Sequence, residues 1–381
     1  MRATPAILAL ILVLTGCWDL KEAQNVNFVT ALGVDYDDGR YVIYAQLLDF
    51  AEIAKQEGTV ETGNAKVWIG KGEGKTVTEA LNSLYPASQQ RTLWTHVRAI
   101  VFSQALLDKH LKGALNGLIR SRDLRYTPWV FGTDKDIPTV FSSVSLLNES
   151  VLNSLLLEPK EIFRQYSFAE PIRLIKFMDG VKEPAVTALL PQISWTDEVW
   201  EENGEPVPQV KLTGAYAIAE GRNRGVVDQT MLQGARYVSF KRMSKYPLTL
   251  TLNDGSPVTL SIGSPKRDIR IGKGGTGNDV RIRVRLKAYI TEIGASSRAT
   301  AADISALAAK KIEEDIRRSF AAAKSKNIDI YNLEEKLYRY DQARWKRICA
   351  GGKPCISRLG LEEVNAEVEI AHSTSYKLPG K

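Results

Sequence analysis

Three cysteines are the most reactive side chains in this sequence, and their spacing sets what they can do. Cys17 follows Leu14-Thr15-Gly16, whose last two, smaller residues let a peptidase reach the peptide bond before a nucleophilic thiol. Cys349 and Cys355 bracket Ala-Gly-Gly-Lys-Pro, a loop flexible enough to bring its ends together. Outside the cytoplasm a disulfide between them and a pair of free thiols are both open readings, and a metal site is the weakest, since only His372 lies close in sequence. Gly70-Lys71-Gly72-Glu73-Gly74-Lys75-Thr76 has the look of a phosphate loop between strand and helix. It lacks the required spacing, because only three residues separate Gly70 from Gly74, and Thr76 with Glu79 makes a helix capping box instead. The carboxylate pairs Glu201-Glu202, Glu313-Glu314, Glu334-Glu335 and Glu362-Glu363 read as solvated charge, since adjacent side chains face different ways. His96 reads as a packing or hydrogen-bonding residue at the start of a buried strand. No His-Glu-x-x-His, Gly-x-Ser-x-Gly or zinc-spaced cysteine motif is present. The sequence is read as non-enzymatic, with no catalytic residue, cofactor or metal.

The setting of Cys17 gives it a specific chemistry. Arg2 precedes an apolar run from Ala6 to Leu14. Nine residues are too few to cross a bilayer, which takes about 20, but they suit a secretory signal. Leu14-Thr15-Gly16-Cys17 resembles the lipobox of bacterial lipoproteins, in which the thiol takes a diacylglycerol and becomes the new N-terminus. Residues 1–16 are then a signal peptide, and the mature chain is held by acylated Cys17 on the extracytoplasmic face of a membrane.

The elements that position these residues can be read from periodicity. The chain has 381 residues with 44% hydrophobic and 25% charged, a composition that excludes a disordered or multi-span membrane protein. Residues 1–209 carry 20 basic and 26 acidic side chains, and 210–381 carry 31 and 18, which suggests separate domains. The acidic, Pro-containing stretch 196–209 is the expected linker between an N-terminal α/β domain, 17–195 (one unit or two subdomains), and a C-terminal α+β domain, 210–375. Asp37-Asp38-Gly39 predicts a hairpin between strands at 26–36 and 40–49. Helices are expected at 77–89, 104–121, 139–156, 160–179, 301–324 and 330–346. Strands are expected at 66–70, 97–102, 126–131, 185–190, 210–219, 248–252 and 257–262. The clearest strand is Val280–Ile290, apolar on one face, with Arg281, Arg283, Arg285 and Lys287 on the other. The 361–371 strand alternates Val364, Ala366 and Val368 with Asn365, Glu367 and Glu369, so the two are expected to be neighbours with opposite charges facing. The arginine row therefore reads as a balanced sheet face. Without interleaved aromatics it is not a nucleic-acid surface, and no nucleic-acid partner is expected. The fold class is α+β (mixed α/β), with mainly antiparallel or mixed sheets flanked by helices.

Gly16-Cys17-Trp18-Asp19-Leu20-Lys21-Glu22, followed by Ala31-Leu32-Gly33-Val34-Asp35, resembles the opening of the Ger(x)C family, the C-subunit lipoproteins of bacterial spore nutrient germinant receptors. The resemblance continues at His96-Val97-Arg98-Ala99-Ile100-Val101-Phe102, at Leu212-Thr213-Gly214-Ala215-Tyr216-Ala217-Ile218, over Arg285 to Glu292 and from Asp329 to Trp345. The Cys349–Cys355 loop and the glycines between Gly272 and Gly277 are not part of it. The resemblance implies a multi-domain mixed α/β ectodomain without catalytic activity. It also implies assembly with two membrane-embedded subunits, A and B, in the inner spore membrane, to trigger germination when nutrients are sensed. Lipidation at Cys17 is the one residue-level role it carries over. The alternative reading is a solute-binding lipoprotein of a transporter, which calls for two similar lobes around a cleft.

Overall fold

The computed structural model describes residues 26–48, 67–143, 151–272, 278–295, 297–349 and 354–371. Two sheets organise them. The first opens with β1 (Val26–Asp37) and β2 (Arg40–Leu48), an antiparallel hairpin closed by Asp38 and Gly39, both in the left-handed region. These φ values are what a tight Asp-Gly turn requires. Next come β3 (Val67–Gly74), α1 (Val77–Asn82), β4 (Arg91–Leu93), β5 (Ala99–Ser103), α2 (Gln104–Lys109), α3 (Leu111–Arg120) and β6 (Trp129–Thr133). After them are α4 (Ile137–Phe141), α5 (Pro159–Gln165), β7 (Ile172–Arg173), α6 (Leu174–Lys182) and β8 (Thr187–Thr196). A small hairpin, β9 (Glu201–Glu202) with β10 (Glu205–Pro206), leads to β11 (Gln209–Ala219) and β12 (Arg222–Val227). The sheet order is β12-β11-β8-β6-β5-β1-β2-β3, with β4 beside β1 and β7 beside β6.

Strands β1, β5, β6 and β8 run parallel at the centre, and antiparallel pairs finish both edges. The central strands are buried on both faces, as parallel strands must be. Leu32, Ile100 and Phe102 pack beneath α2, α3 and α6. Val101, Phe131 and Ile193 pack on the other face with Ile137 and Phe141 of α4. The glycines of β3 have a steric reason. A Cβ on Gly72 would sit 2.2 Å from the Ala80 carbonyl oxygen, and one on Gly74 would sit 2.5 Å from the Ala80 nitrogen. Helix α1 therefore lies flush on the strand. Thr76 caps it, its hydroxyl accepting the Glu79 N–H, while the Glu79 carboxylate accepts the Lys75 N–H.

The second sheet begins beyond α7 (Gln229–Val238). It contains β13 (Tyr246–Thr251), β14 (Pro257–Ile271), β15 (Asp279–Ile293) and β16 (Gly360–Ala371), in that order. The first three form an antiparallel meander, and β16 adds parallel to β15 after a crossover through α8 (Ala301–Ser325), α9 (Leu333–Tyr340) and α10 (Gln342–Ile348). The apolar face of β15 meets the α8 stripe of Ile304, Ala308, Ile312, Ile316 and Phe320. On the open face the register sets Arg281 against Glu363, Arg285 against Glu367 and Lys287 against Glu369, as the alternation predicts. Arg281 also makes two hydrogen bonds to Glu362, at 2.7 and 3.1 Å. Such exposed pairs are screened by solvent and each contributes little to stability. Helix α7 crosses α8 closely at Gly234, whose N–H donates to the Ser319 hydroxyl at 2.8 Å. Arg236 on α7 is fully buried, its Nε donating to the Phe168 carbonyl and its guanidinium 4.0 Å from the Tyr246 ring.

Several elements differ from expectation. The chain changes sheets after residue 227, and the acidic stretch 196–209 stays within the outline of the first sheet. That stretch is the tip of a hairpin joining β8 to β11, which pair over ten positions. Its polarity reflects a tip beyond the core rather than a gap between sheets. The expected helix 160–179 divides into α5 and α6 around Pro171, which cannot donate to a helix and restricts the residue before it. The expected helix 104–121 divides at His110, and 330–346 divides at Asp341, whose carboxylate caps α10. Helix α7 is an addition to the expected elements, although Asp228 caps it and Met231, Leu232, Ala235 and Val238 share one buried stripe. Of the 139–156 expectation, 144–150 lies outside the described residues. Replacing Gly72 by Ala is expected to destabilise the chain by about 1–3 kcal/mol, because backbone and not a flexible side chain must move. Chemical denaturation of the variant beside wild type checks this.

Candidate functional site

The richest cluster of buried polar chemistry lies where the second unit meets the bottom of the first sheet. The turn after α8 uses left-handed residues Asn327 (φ 54°) and Asn332 (φ 51°) to fold back under α9. This places Asp329 beneath the helix start. Its carboxylate accepts the Glu334 N–H at 2.8 Å and the Tyr331 N–H at 3.3 Å. Glu334 in turn reaches across to the chain's return, where Oε1 accepts the N–H groups of Cys355 and Ile356 at 2.6 and 2.8 Å. Asp329 and Glu334 are only 4% and 7% exposed. Cys349 and Cys355 are joined by a disulfide in the structure, with Cα atoms 5.0 Å apart, a separation ordinary for such a bond. The facing wall comes from the first sheet. Asn332 bridges to β8, accepting the Thr187 N–H at 2.8 Å and donating to the Thr187 carbonyl at 3.3 Å. Arg224 of β12 holds Glu220 at 2.8 Å, and Arg339 of α9 holds Glu183 at 2.6 Å.

Between these walls is a cavity of about 20 Å³ lined by Thr187, Arg224, Asp329, Glu334 and Trp345. That is room for about one water and far too little for an amino acid or a sugar. Arg224 Nε and Trp345 Nε1 are buried there without a hydrogen-bond partner among the described residues. Burial pushes the Asp329 carboxyl up to about 6 and the Glu334 carboxyl up to about 7, with the Glu335 charge adding to the rise at Asp329 and the Asp329 charge to that at Glu334. Both line this small cavity and are committed to backbone N–H groups, which is a structural use of a carboxylate. Glu334, Cys349 and Cys355 form a compact group with ligand atoms within 4.8 Å, but sulfurs bonded to one another are not available to a metal.

The other residues singled out in the sequence fall elsewhere. Cys17 and His372 lie outside the described residues, as do 273–277 and 350–353 of the two glycine-containing loops. His96 is exposed and sits edge-on to Phe28, and His110 stacks on Tyr36 at the break between α2 and α3. Adjacency groups Glu334 with Glu335 as solvated charge. The structure instead buries Glu334, because a segment 21 residues later supplies its partners. A second, open concavity of about 260 Å³ is lined by Asp254, Arg298 and Asp303. Its two carboxylates serve as caps, Asp254 for the turn at Ser256 and Asp303 for the start of α8.

A two-sheet α+β protein whose units meet at a buried polar junction is the class these features define. Comparison with known proteins gives the family. The Spore germination protein N-terminal domain matches residues 19–194, and the Spore germination B3/GerAC like C-terminal domain matches residues 213–372. The chain belongs to this family, Ger(x)C, which is a family of spore germination proteins and not a known enzyme family. Spore germination protein KC of Bacillus subtilis (strain 168) is 23% identical over 58% of this chain and 54% of that protein. The putative spore germination protein YfkR of the same organism is 25% identical over 49% and 48%. The matched region thus spans about half the length of these curated relatives. A crystal structure of the GerBC protein shares the fold, with a TM-score of 0.50 and 14% identity over 88% of this chain and 96% of that one. No helix among the described residues is long and apolar enough to cross a membrane.

The raised carboxyls give a pH prediction with a defined sign. The folded chain binds protons that the unfolded chain has released, so this stabilisation is present in full below about pH 4 and is lost as pH rises through about 6 to 7. Amide exchange over 327–334 and 355–356, corrected for intrinsic rates, is expected to be slower near pH 5 than near pH 8. Glu334→Gln flattens that dependence, whereas Glu334→Ala costs about 2 kcal/mol or more by stranding two buried N–H groups.

Proposed function

We propose that this chain is the lipid-anchored, non-enzymatic C-subunit of a spore germinant receptor, assembling with A- and B-type membrane-embedded subunits to trigger nutrient-induced germination. The observation that carries the reading is the match to both family regions, in order, over most of the chain. Relatives named spore germination proteins KC and B3 support the same process. The lipobox at Leu14–Cys17 supplies the anchor and sets the described residues at the outer face of the inner spore membrane. Acyl chains contribute about 0.8 kcal/mol per buried methylene, so two or three hold durably. The subunit acts by protein–protein contact. The transporter alternative is not favoured, because the ten-stranded mixed sheet and the four-stranded sheet are not two similar lobes. We further propose that the Cys349–Cys355 disulfide persists in the mature protein.

The function is tested in spores lacking the gene and challenged with a panel of amino acids and sugars while dipicolinate release is monitored. Loss of response to some nutrients is expected, with rescue by the wild-type gene and poor rescue by Cys17→Ala. A full response to every nutrient, in a strain without a redundant receptor, would sink the reading. Alkylation of the unreduced protein before mass spectrometry is expected to leave Cys349 and Cys355 unlabelled.

A further inference from the structure

The first sheet has two chemically different ends. Because β1, β5, β6 and β8 are parallel, their N-terminal ends share one rim and their C-terminal ends share the other. The N-terminal rim is bordered by 85–98, which carries the segment pairing with Val26–Phe28, and by 119–128, which leads into β6. These two stretches contain Arg91, Arg98, Arg120, Arg122 and Arg125 against the single acid Asp123. Arg91, Arg122 and Arg125 are exposed and have no carboxylate partner among the described residues. Acids near this end are already engaged: Glu158 by Arg98, Asp179 by Lys176, Glu183 by Arg339 and Glu220 by Arg224. Exposed Tyr85, Tyr126 and Ile175 stand among the cations. The opposite rim is formed by 35–40, 134–136 and 197–206, and holds ten acids against Arg40 and Lys135 alone.

The tether leaves from the basic rim. Nine peptide steps separate Cys17 from Val26, a reach of at most about 30 Å. The far end of β1 lies about 36 Å further along the strand at 3.3 Å per residue, several Debye lengths away at physiological salt. Anionic headgroups attract arginines close to the surface and repel the acidic rim, so attachment point and charge select the same orientation. Tyrosines suit the headgroup layer, where a ring and a hydroxyl are both accommodated.

We propose that the rim made by residues 85–98 and 119–128 rests on the bilayer and binds anionic phospholipid headgroups, holding the acidic rim outward. This rests on the anchor at Cys17. The test uses the full lipidated chain in phosphatidylcholine vesicles with or without phosphatidylglycerol, and a headgroup-located quencher lipid. Single fluorophores are placed at Arg122→Cys and, at the far turn, Asp38→Cys. Several-fold stronger quenching at 122 than at 38 is expected with phosphatidylglycerol. That difference should shrink in high salt and in an Arg91→Glu, Arg125→Glu double variant. Equal quenching at the two sites, or a difference indifferent to phosphatidylglycerol and to the double variant, overturns the proposal. Failure of the chain to float with vesicles would instead count against acylation of Cys17. In that event, a chain held by an N-terminal His tag on a nickel-chelating lipid yields the same comparison, so the rim stands or falls by itself.

Discussion

The ladder between β8 and β11 is the interaction on which the rest of the architecture depends. It pairs Thr187–Thr196 with Gln209–Ala219 and carries the chain from the first family region into the second without leaving the sheet. The start of the second region is thereby built into the first region's sheet. Helix α7 and the four-stranded sheet then hang from a strand whose position is fixed by backbone hydrogen bonds. The junction closes from the other side, where Asn332 grips the first residue of β8 and Arg339 grips Glu183. Two attachments, one through the ladder and one through the turn after α8, hold the units more firmly than a flexible linker would.

The buried carboxylates at that junction show a cost accepted for placement. Asp329 and Glu334 stay ionised less readily than exposed acids, yet each organises backbone that no secondary structure satisfies. Glu334 in particular bonds the two N–H groups just after the disulfide loop, so helix α9 and the approach to β16 are positioned by one side chain. A cavity sized for a single water beside them fits this structural role and excludes a nutrient at the same place.

Local pattern makes part of this legible. The Asp-Gly hairpin and the facing rows of β15 and β16 can be read from alternation alone, because turn chemistry and period-two patterning act over a few residues. Four of the segments resembling the family map onto β1, β5, β11 and β15, buried strands whose composition is constrained on both faces or on one, and the 329–345 segment maps onto α9 and the start of α10. Non-local features are not legible. In the sequence, Glu334 and Glu335 are indistinguishable, and only the return of the chain at Cys355 separates them. The acidic stretch 196–209 reads as a linker because a hairpin tip and an interdomain segment have the same composition. The glycines of β3 suggest phosphate, whereas their reason is the close approach of α1.

The place of β16 beside β15 has a consequence for how the chain reaches its native state. Its register partners lie about 80 residues earlier, so the arginine face of β15 is made long before the glutamates that balance it. Pairing across such a separation is slow, since a long loop must close before any contact rewards it. Until β16 arrives, β15 is an open edge, and its row of like charges discourages another strand from adding there. The positive row that looks like a binding surface therefore also discourages a stray strand from adding to β15 before β16 pairs with it.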